Sequence, residues 1–132
     1  MLGLGVMIKS LGGNEETINA TQTSIGKIIE KVSLEDNKLV FNFTDGTGLK
    51  MFDDGQSCCE YRYMSTDDDL NEFKGATLLD FELKNVPSIG NEYEQHEIQF
   101  LDIKTSNGVF QMANHNEHNG YYGGFWIAAH SF

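Results

Sequence analysis

The chain has 132 residues and a formal charge of −11, because 9 Lys and Arg face 20 Asp and Glu. A chain of this length forms one domain around one hydrophobic core by default. Its aromatic content of 11% argues against a disordered acidic tail, and its few basic residues argue against direct binding of nucleic acid.

Neither a leader nor a membrane span is predicted. The N-terminal segment lacks the positive region and the cleavage pattern of a signal peptide, and no apolar run reaches the roughly 18 residues that cross a bilayer. The two cysteines, Cys58 and Cys59, are neighbours and cannot form a disulfide framework. We therefore expect a cytoplasmic protein with no membrane partner.

The first half of the chain predicts strands after a polar arm. Residues 12–23 are polar, so we assign 1–24 to an N-terminal arm or loop with a possible strand, and 25–132 to a single β-rich domain. Residues 25–34 form the first predicted strand. Alternating apolar residues in 38–43 and 49–52, joined by Asp45-Gly46, predict a hairpin.

One short helix is predicted near the middle of the chain. Ser65 and Thr66 lie three residues before aspartates of the 67–69 run, which is a capping arrangement, and Gly75 ends the helix. The alternative, a cation site on the three aspartates, lacks the alternate spacing and the sixth-position glycine of a calcium loop. No metal site is therefore predicted.

The second half predicts more strands. Residues 77–83 alternate, with Leu79, Phe81 and Leu83 on the inner face, and 98–104 is apolar on both faces, as in a central strand. Turns at Asn107-Gly108 and Asn119-Gly120 lead to strands over 109–113 and 122–129. The C-terminal third is thus predicted to be a three-stranded meander.

These elements predict a mainly β fold, α+β with one short helix. Six to nine mostly antiparallel strands would form a single antiparallel sheet, a sandwich or a partly open barrel. Exposed sheet edges leave a homodimer as an open alternative.

Two segments carry residues with reactive side chains. Cys58 and Cys59 would point to opposite faces of a strand, which favours a structural role over a metal site or a thiolate nucleophile. His115 and His118, with Glu117 between them, fit a solvated hairpin loop. The alternatives are a two-histidine metal site, or a hydrolase with either histidine as base. No cofactor motif occurs.

Charge is the main functional signal. Between residues 53 and 74 the chain has seven acids against Arg62 and Lys74, and Glu92, Glu94 and Glu97 form a second cluster. Carboxylates on a rigid sheet can imitate a phosphate track and compete for a basic groove. The alternative explanation is solubility alone.

Three motifs carry a resemblance: Asp54-Gly55-Gln56 with Cys58-Cys59-Glu60, then Asp69-Leu70 with Gly75, then Asn119-Gly120-Tyr121-Tyr122. Together they resemble a family of small uncharacterised domains met largely in bacteriophage and bacterial genomes. The resemblance covers residues 25–129 and implies a β-rich fold and a phage or prophage context, without an established reaction.

The combined prediction is a non-enzymatic acidic phage or prophage protein that binds a host protein with a basic surface. An inhibitor of a bacterial defence system, such as an anti-CRISPR, fits this description. The alternatives are a binder of a small ligand such as a nucleotide signal, in a pocket of Tyr121, Tyr122 and residues 115–118, or a hydrolase centred on Cys59 or His115.

The contact with the host protein is predicted to use aromatic and acidic side chains. Candidate aromatic anchors are Tyr61, Tyr63, Tyr121, Tyr122 and Trp126. The predicted partner-binding residues are Asp53, Asp54, Asp67, Asp68, Asp69, Glu72, Glu92, Glu94, Tyr121 and Tyr122.

Overall fold

A computed structural model describes residues 15–55, 60–85, 89–90, 95–118 and 125–132. Within these ranges the chain forms one α-helix, one 3-10 turn and nine strands. Their bounds are α1 Glu15–Ser24, β1 Ile29–Glu35, β2 Lys38–Phe43, β3 Gly48–Asp53, β4 Glu60–Ser65, the 3-10 turn Leu70–Phe73, β5 Leu78–Asn85, β6 Ile89–Gly90, β7 Gln95–Thr105, β8 Gly108–His118 and β9 Ile127–Ser131.

The strands form two antiparallel sheets that share one core and do not close into a barrel. The first sheet has the order β1-β2-β3-β9. The second has the order β4-β8-β7-β5, and the short β6 also pairs with β7. The mainly β fold class is confirmed, as is the central position of the 98–104 strand, since β7 lies between β8 and β5.

Tight turns set the strand order. β1 and β2 are joined by Asp36 and Asn37, which have φ of 49° and 58°. Two consecutive left-handed residues are typical of the hairpin turn whose twist matches the strands, and Asp and Asn tolerate that conformation best after glycine. The predicted hairpins at Asp45-Gly46 and Asn107-Gly108 are both confirmed.

Aromatic side chains join the two sheets. Phe41 of β2 and Phe110 of β8 are fully buried, with ring centroids 6.2 Å apart. Phe73 of the 3-10 turn lies 4.6 Å from the Phe110 ring and covers one side of this core. Phe110 marks the inner face of β8, so the even-numbered residues of that strand face the first sheet and the odd-numbered ones face outward.

The predicted loop or arm over residues 12–23 is wrong for its described part, which is helix α1. The buried face of the helix consists of Thr17, Ala20, Thr21 and Ser24, and the helix packs against β9 and β3. Two of its buried hydroxyls are satisfied within the helix, because Thr21 Oγ1 donates to the Thr17 carbonyl at 2.8 Å and Ser24 Oγ to the Ala20 carbonyl at 2.7 Å. The buried positions have helical spacing, but small polar residues occupy most of them in place of the apolar ones that signal a helix.

The predicted C-terminal meander is also wrong. β7 and β8 form its first hairpin, but β9 pairs with β3 in the other sheet, from Leu49↔Ser131 to Asp53↔Ile127. The predicted turn at Asn119-Gly120 lies outside the described residues. Alternation identifies a strand but not its neighbour, which depends here on where the chain goes after His118.

A bulge in β5 reverses part of the predicted alternation. Leu78 pairs with Thr105 and Asp80 with Lys104, so Leu79 is an extra residue in the ladder. Leu78 is therefore fully buried and Leu79 is 50% exposed, whereas Phe81 and Leu83 face the core as predicted.

The predicted short helix is a single 3-10 turn, Leu70–Phe73. Its N-cap is Asp69, whose Oδ1 accepts from the Asn71 N–H at 3.1 Å, and Gly75 follows with φ of 87°. Capping by the acidic run is thus confirmed for Asp69, while the predicted cap residue Ser65 lies in β4.

Candidate functional site

The outward face of the second sheet carries an aromatic row. Strand register aligns Tyr63 of β4 with His115 of β8 and Ile98 of β7, and the next row aligns Tyr61, Glu117 and His96. These side chains share a face because residues two apart on a strand point the same way. The other sheet does not cover this face, so Tyr61 is 60% exposed.

Ser65 lies on the same face, two residues after Tyr63, and forms a hydrogen-bonded chain with His115 and His96. Ser65 Oγ lies 2.9 Å from His115 Nε2, and His115 Nδ1 lies 2.9 Å from His96 Nε2. Two proton arrangements satisfy both contacts. In one of them Ser65 donates to His115 and His115 donates to His96, which directs the Nε2 lone pair of His115 at the serine hydroxyl.

His115 is held in its neutral form. Burial lowers its pKa below the ordinary value of 6.5, and the neighbouring His96 lowers it further, while Glu117 acts in the opposite direction. The imidazole is therefore mostly unprotonated at neutral pH and can accept a proton.

Tyr63 fixes the plane of the His115 ring. The two rings stack with centroids 4.4 Å apart and an interplanar angle of 7°. Burial and a hydrogen bond to Glu117 raise the pKa of Tyr63 above its usual 10.0, so its phenol stays protonated. Tyr61 continues the aromatic row, with its ring centroid 4.9 Å from that of Tyr63.

A groove lies beside this chain on the same face. The groove has a volume of about 270 Å³. Its lining combines the serine, acidic, apolar and amide side chains Ser65, Thr66, Asp67, Asp68, Phe100, Gln111 and Ala113. We refer to it as the outer-face groove.

Two residues in the wall of the outer-face groove are hydrogen-bonded to the backbone of Gln111 in β8. Thr66 Oγ1 donates to the Gln111 carbonyl at 2.8 Å, and Asp68 Oδ2 accepts from the Gln111 N–H at 2.8 Å. Asp68 N–H also donates to Thr66 Oγ1 at 3.1 Å. The segment that follows Ser65 is therefore held in place against the sheet.

The predicted partner-binding acids occupy different environments. Asp67, Asp68, Asp69 and Glu72 are exposed around the 3-10 turn, and Asp54 is exposed after β3. The structure brings the first four together, with Asp68 and Asp69 also bonded to backbone N–H groups. The predicted residues Glu92, Glu94, Tyr121 and Tyr122, together with Cys58 and Cys59, lie outside the described residues.

Asp53, predicted as a partner contact, is instead an internal residue. Its side chain is 6% exposed, and its Oδ2 lies 2.9 Å from Nη1 of Arg62, which is 3% exposed. Its Oδ1 accepts from the N–H groups of Gly55 at 3.0 Å and Trp126 at 3.2 Å. This carboxylate therefore links the two sheets through its ion pair with Arg62.

His115 and His118 lie in strand β8 and not in the predicted hairpin loop, and their side chains do not meet as the alternative of a two-histidine metal site requires. Strand β8 continues to His118, so three residues of spacing place the two imidazoles on opposite faces. The His118 Nε2 pairs with Glu97 Oε1 at 2.6 Å. Within the described ranges, no three His, Cys, Asp or Glu side chains converge as metal ligands would.

Sequence reasoning missed Ser65 and His96 as members of a site. It assigned Ser65 to a helix cap and gave His96 no particular place. Alternation of Tyr61 with Tyr63 was a usable signal for an outward aromatic row, but the alignment of β4 and β7 on either side of β8 depends on sheet order.

The fold and this face define a two-sheet β domain with an acidic groove beside an aromatic outer surface. No helix in the described part of the chain is long and apolar enough to cross a membrane. Residues 22–127 match the DUF7448 family, a domain of unknown function, and the chain belongs to that family. No curated protein and no solved structure gives a significant match.

Proposed function

We propose that the main function of this protein is stoichiometric binding to a basic surface of a host protein. In this proposal it is a phage or prophage protein that acts in the host cytoplasm and inhibits a bacterial defence system, as an anti-CRISPR does when it occupies a nucleic-acid groove. The observation that carries the proposal is the set of exposed carboxylates Asp67, Asp68, Asp69 and Glu72 on the segment that follows the aromatic strand β4, with Asp68 anchored to β8.

The charge distribution supports an acidic contact surface. Several of the basic side chains are already committed, because Lys27 pairs with Asp45, Lys84 with Asp102 and Lys104 with Glu82. The carboxylates of the 67–72 segment are part of the net charge of −11, and none of them forms an ion pair with a described lysine or arginine. Such a patch steers a basic partner and gives strongly salt-dependent association.

The aromatic row provides contact area that contributes binding energy in addition to the charge. Tyr61 is 60% exposed next to the stacked Tyr63, and tyrosines are enriched among residues that dominate binding energy. A contact of this kind would bury Tyr61 centrally and leave the acids of the 67–72 segment on the rim, where they govern the association rate.

The test uses bacteria that carry defined CRISPR-Cas systems and a phage that those systems target. Expression of the full chain is expected to restore plaque formation on at least one strain. The double variant Asp67→Lys with Glu72→Lys is expected to lose this effect. The matched control, Glu30→Lys with Glu35→Lys, makes the same change in net charge on the exposed positions of β1 and is expected to keep it.

Two results would count against the proposal. Unchanged plating on every strain would reject the role in defence inhibition. Equal loss in both double variants would show that net charge, rather than the 67–72 segment, determines the effect.

A further inference from the structure

We propose that Ser65 is a nucleophile for acyl transfer that opens into the outer-face groove, with His115 as its general base. This activity goes beyond the binding function and does not depend on it. The serine is the last residue of β4, and it is the one residue of the hydrogen-bonded chain that also lines the groove in the described part of the protein.

The base and the hydroxyl lie within hydrogen-bonding distance of each other. The 2.9 Å separation of Ser65 Oγ and His115 Nε2 lies within the reach required for proton transfer. His96 lies 2.9 Å from the opposite nitrogen of His115 and is a positioning residue that orients the ring, and in the arrangement where it accepts from the Nδ1–H of His115 it leaves Nε2 free to act as the base.

Packing keeps the imidazole in that position. Tyr63 stacks on its face at 4.4 Å, so the ring cannot rotate without losing the contact. All four residues lie on three hydrogen-bonded strands, which hold side chains more precisely than loops do.

The reaction balances as ester hydrolysis. Ser65 Oγ attacks the carbonyl carbon while its proton passes to His115 Nε2. The tetrahedral intermediate then expels the leaving alcohol, which takes the proton from His115, and the acyl group remains on Ser65. A water molecule deprotonated by His115 attacks the acyl carbon, and collapse releases the carboxylic acid and restores the serine hydroxyl. The peptide N–H groups of Thr66 and Asp67, which follow Ser65 along the groove, are the candidates for oxyanion stabilisation.

The lining of the groove indicates the substrate class. Its volume of about 270 Å³ falls just below the usual range of small-molecule sites, which favours a short acyl group. Phe100 and Ala113 provide an apolar surface, while Asp67 and Asp68 put negative charge on the wall. Short esters or thioesters with a cationic leaving group fit this combination, and anionic ones are disfavoured.

A fluorophosphonate probe tests the nucleophile directly, because it forms an adduct only with an activated serine. Intact mass and peptide mapping are expected to show one adduct, at Ser65, in the full chain and in the control Ser131→Ala. Ser65→Ala is expected to show none. His115→Gln is expected to react at least ~100-fold more slowly, the lower end of the usual effect of a general base. Circular dichroism checks that each variant is folded.

Acetylthiocholine and S-acetylthioglycolate test the substrate class. The cationic thioester is expected to be hydrolysed faster, and Asp67→Asn is expected to reduce that preference. His96→Gln is expected to move the acidic limb of the pH-rate profile to higher pH, because loss of His96 removes an influence that lowers the pKa of His115. A merely structural role for His96 would change the rate without this shift.

Labelling at another residue, or equal labelling rates in folded His115→Gln and the unaltered chain, would overturn the proposal. Neither result would affect the plaque assay, so the two proposals fail separately.

Discussion

Arg62 of β4 and Asp53 of β3 form an ion pair that crosses from one sheet to the other, with Nη1 and Oδ2 2.9 Å apart. The indole of Trp126 covers the pair, with the guanidinium carbon 5.0 Å from the ring centroid. Both charged side chains are almost fully buried, so the ion pair offsets part of the cost of burying each charge.

Removal of one partner is expected to destabilise the fold strongly. Asp53→Ala should lower the free energy of unfolding by about 3–5 kcal/mol, because it leaves the Arg62 charge buried without its carboxylate. The neighbouring Asp54→Ala, at an exposed position, should change it by no more than about 0.5 kcal/mol. Urea denaturation measures both. Similar values for the two variants would show that Asp53 does not compensate Arg62.

His115 makes stability depend on pH in a defined direction. Its pKa is lowered in the folded protein, so between that pKa and the unfolded value of about 6.5 the unfolded chain binds more protons. The free energy of unfolding contributed by this group therefore falls as pH drops below 6.5. His115→Gln should lose less stability than the unaltered chain between pH 7 and pH 5, measured by urea denaturation at each pH. An equal or steeper loss in the variant would contradict the lowered pKa.

Gly48 leaves room for the ring of Phe132. A Cβ built on Gly48 would overlap that ring, while the two backbones exchange hydrogen bonds of 2.7 and 3.0 Å. The ring is the far end of a half-exposed side chain and can turn away, so Gly48→Ala should cost no more than about 1 kcal/mol of stability. In a Phe132→Ala background the same change should be neutral or slightly stabilising, since alanine suits a strand better than glycine. A double-mutant cycle by denaturation measures this coupling, and additive effects would contradict it.

Asn114 is a buried polar residue on the inner face of β8. It is fully buried, and neither atom of its side-chain amide has a hydrogen-bond partner in the described ranges. Asn114→Leu keeps the number and branching of the side-chain heavy atoms and removes the desolvated amide. It should stabilise the fold by at most about 1–3 kcal/mol, because the larger methyl groups offset part of the gain. A loss of stability in thermal or urea denaturation would show that the amide contributes an interaction to the folded state.

Local patterns predicted much of the fold but little of the candidate site. Asp-Gly and Asn-Gly dipeptides located two hairpins correctly because their backbone preferences act within a few residues. The bulge at Leu79 and the transfer of β9 to the first sheet were not predictable in this way, since both depend on pairing with distant strands. Helix α1 had the right spacing at Thr17, Ala20, Thr21 and Ser24, but not the apolar residues that would have made the spacing informative.

The site depended on the same long-range information. The hydrogen-bonded chain from Ser65 through His115 to His96 arises from the order β4-β8-β7, which brings together residues up to 50 positions apart. Composition indicated an acidic protein, and the exposed 67–72 segment agrees with an acidic surface. Composition could not separate Asp53, which is internal, from Asp54, which is exposed, because the contacts of Asp53 with Arg62 and Trp126 come from distant parts of the chain.

The pairing of β9 with β3 imposes an order on folding during synthesis. When β3 leaves the ribosome its outer edge has no partner, and it keeps that open edge until residues 127–131 have been made. Loop closure over such a distance is slow, and an unpaired edge is a template for intermolecular strand addition. The nascent chain is therefore most vulnerable to misassembly with its neighbours on the same messenger RNA in the interval after β3 has emerged and before β9 can pair with it.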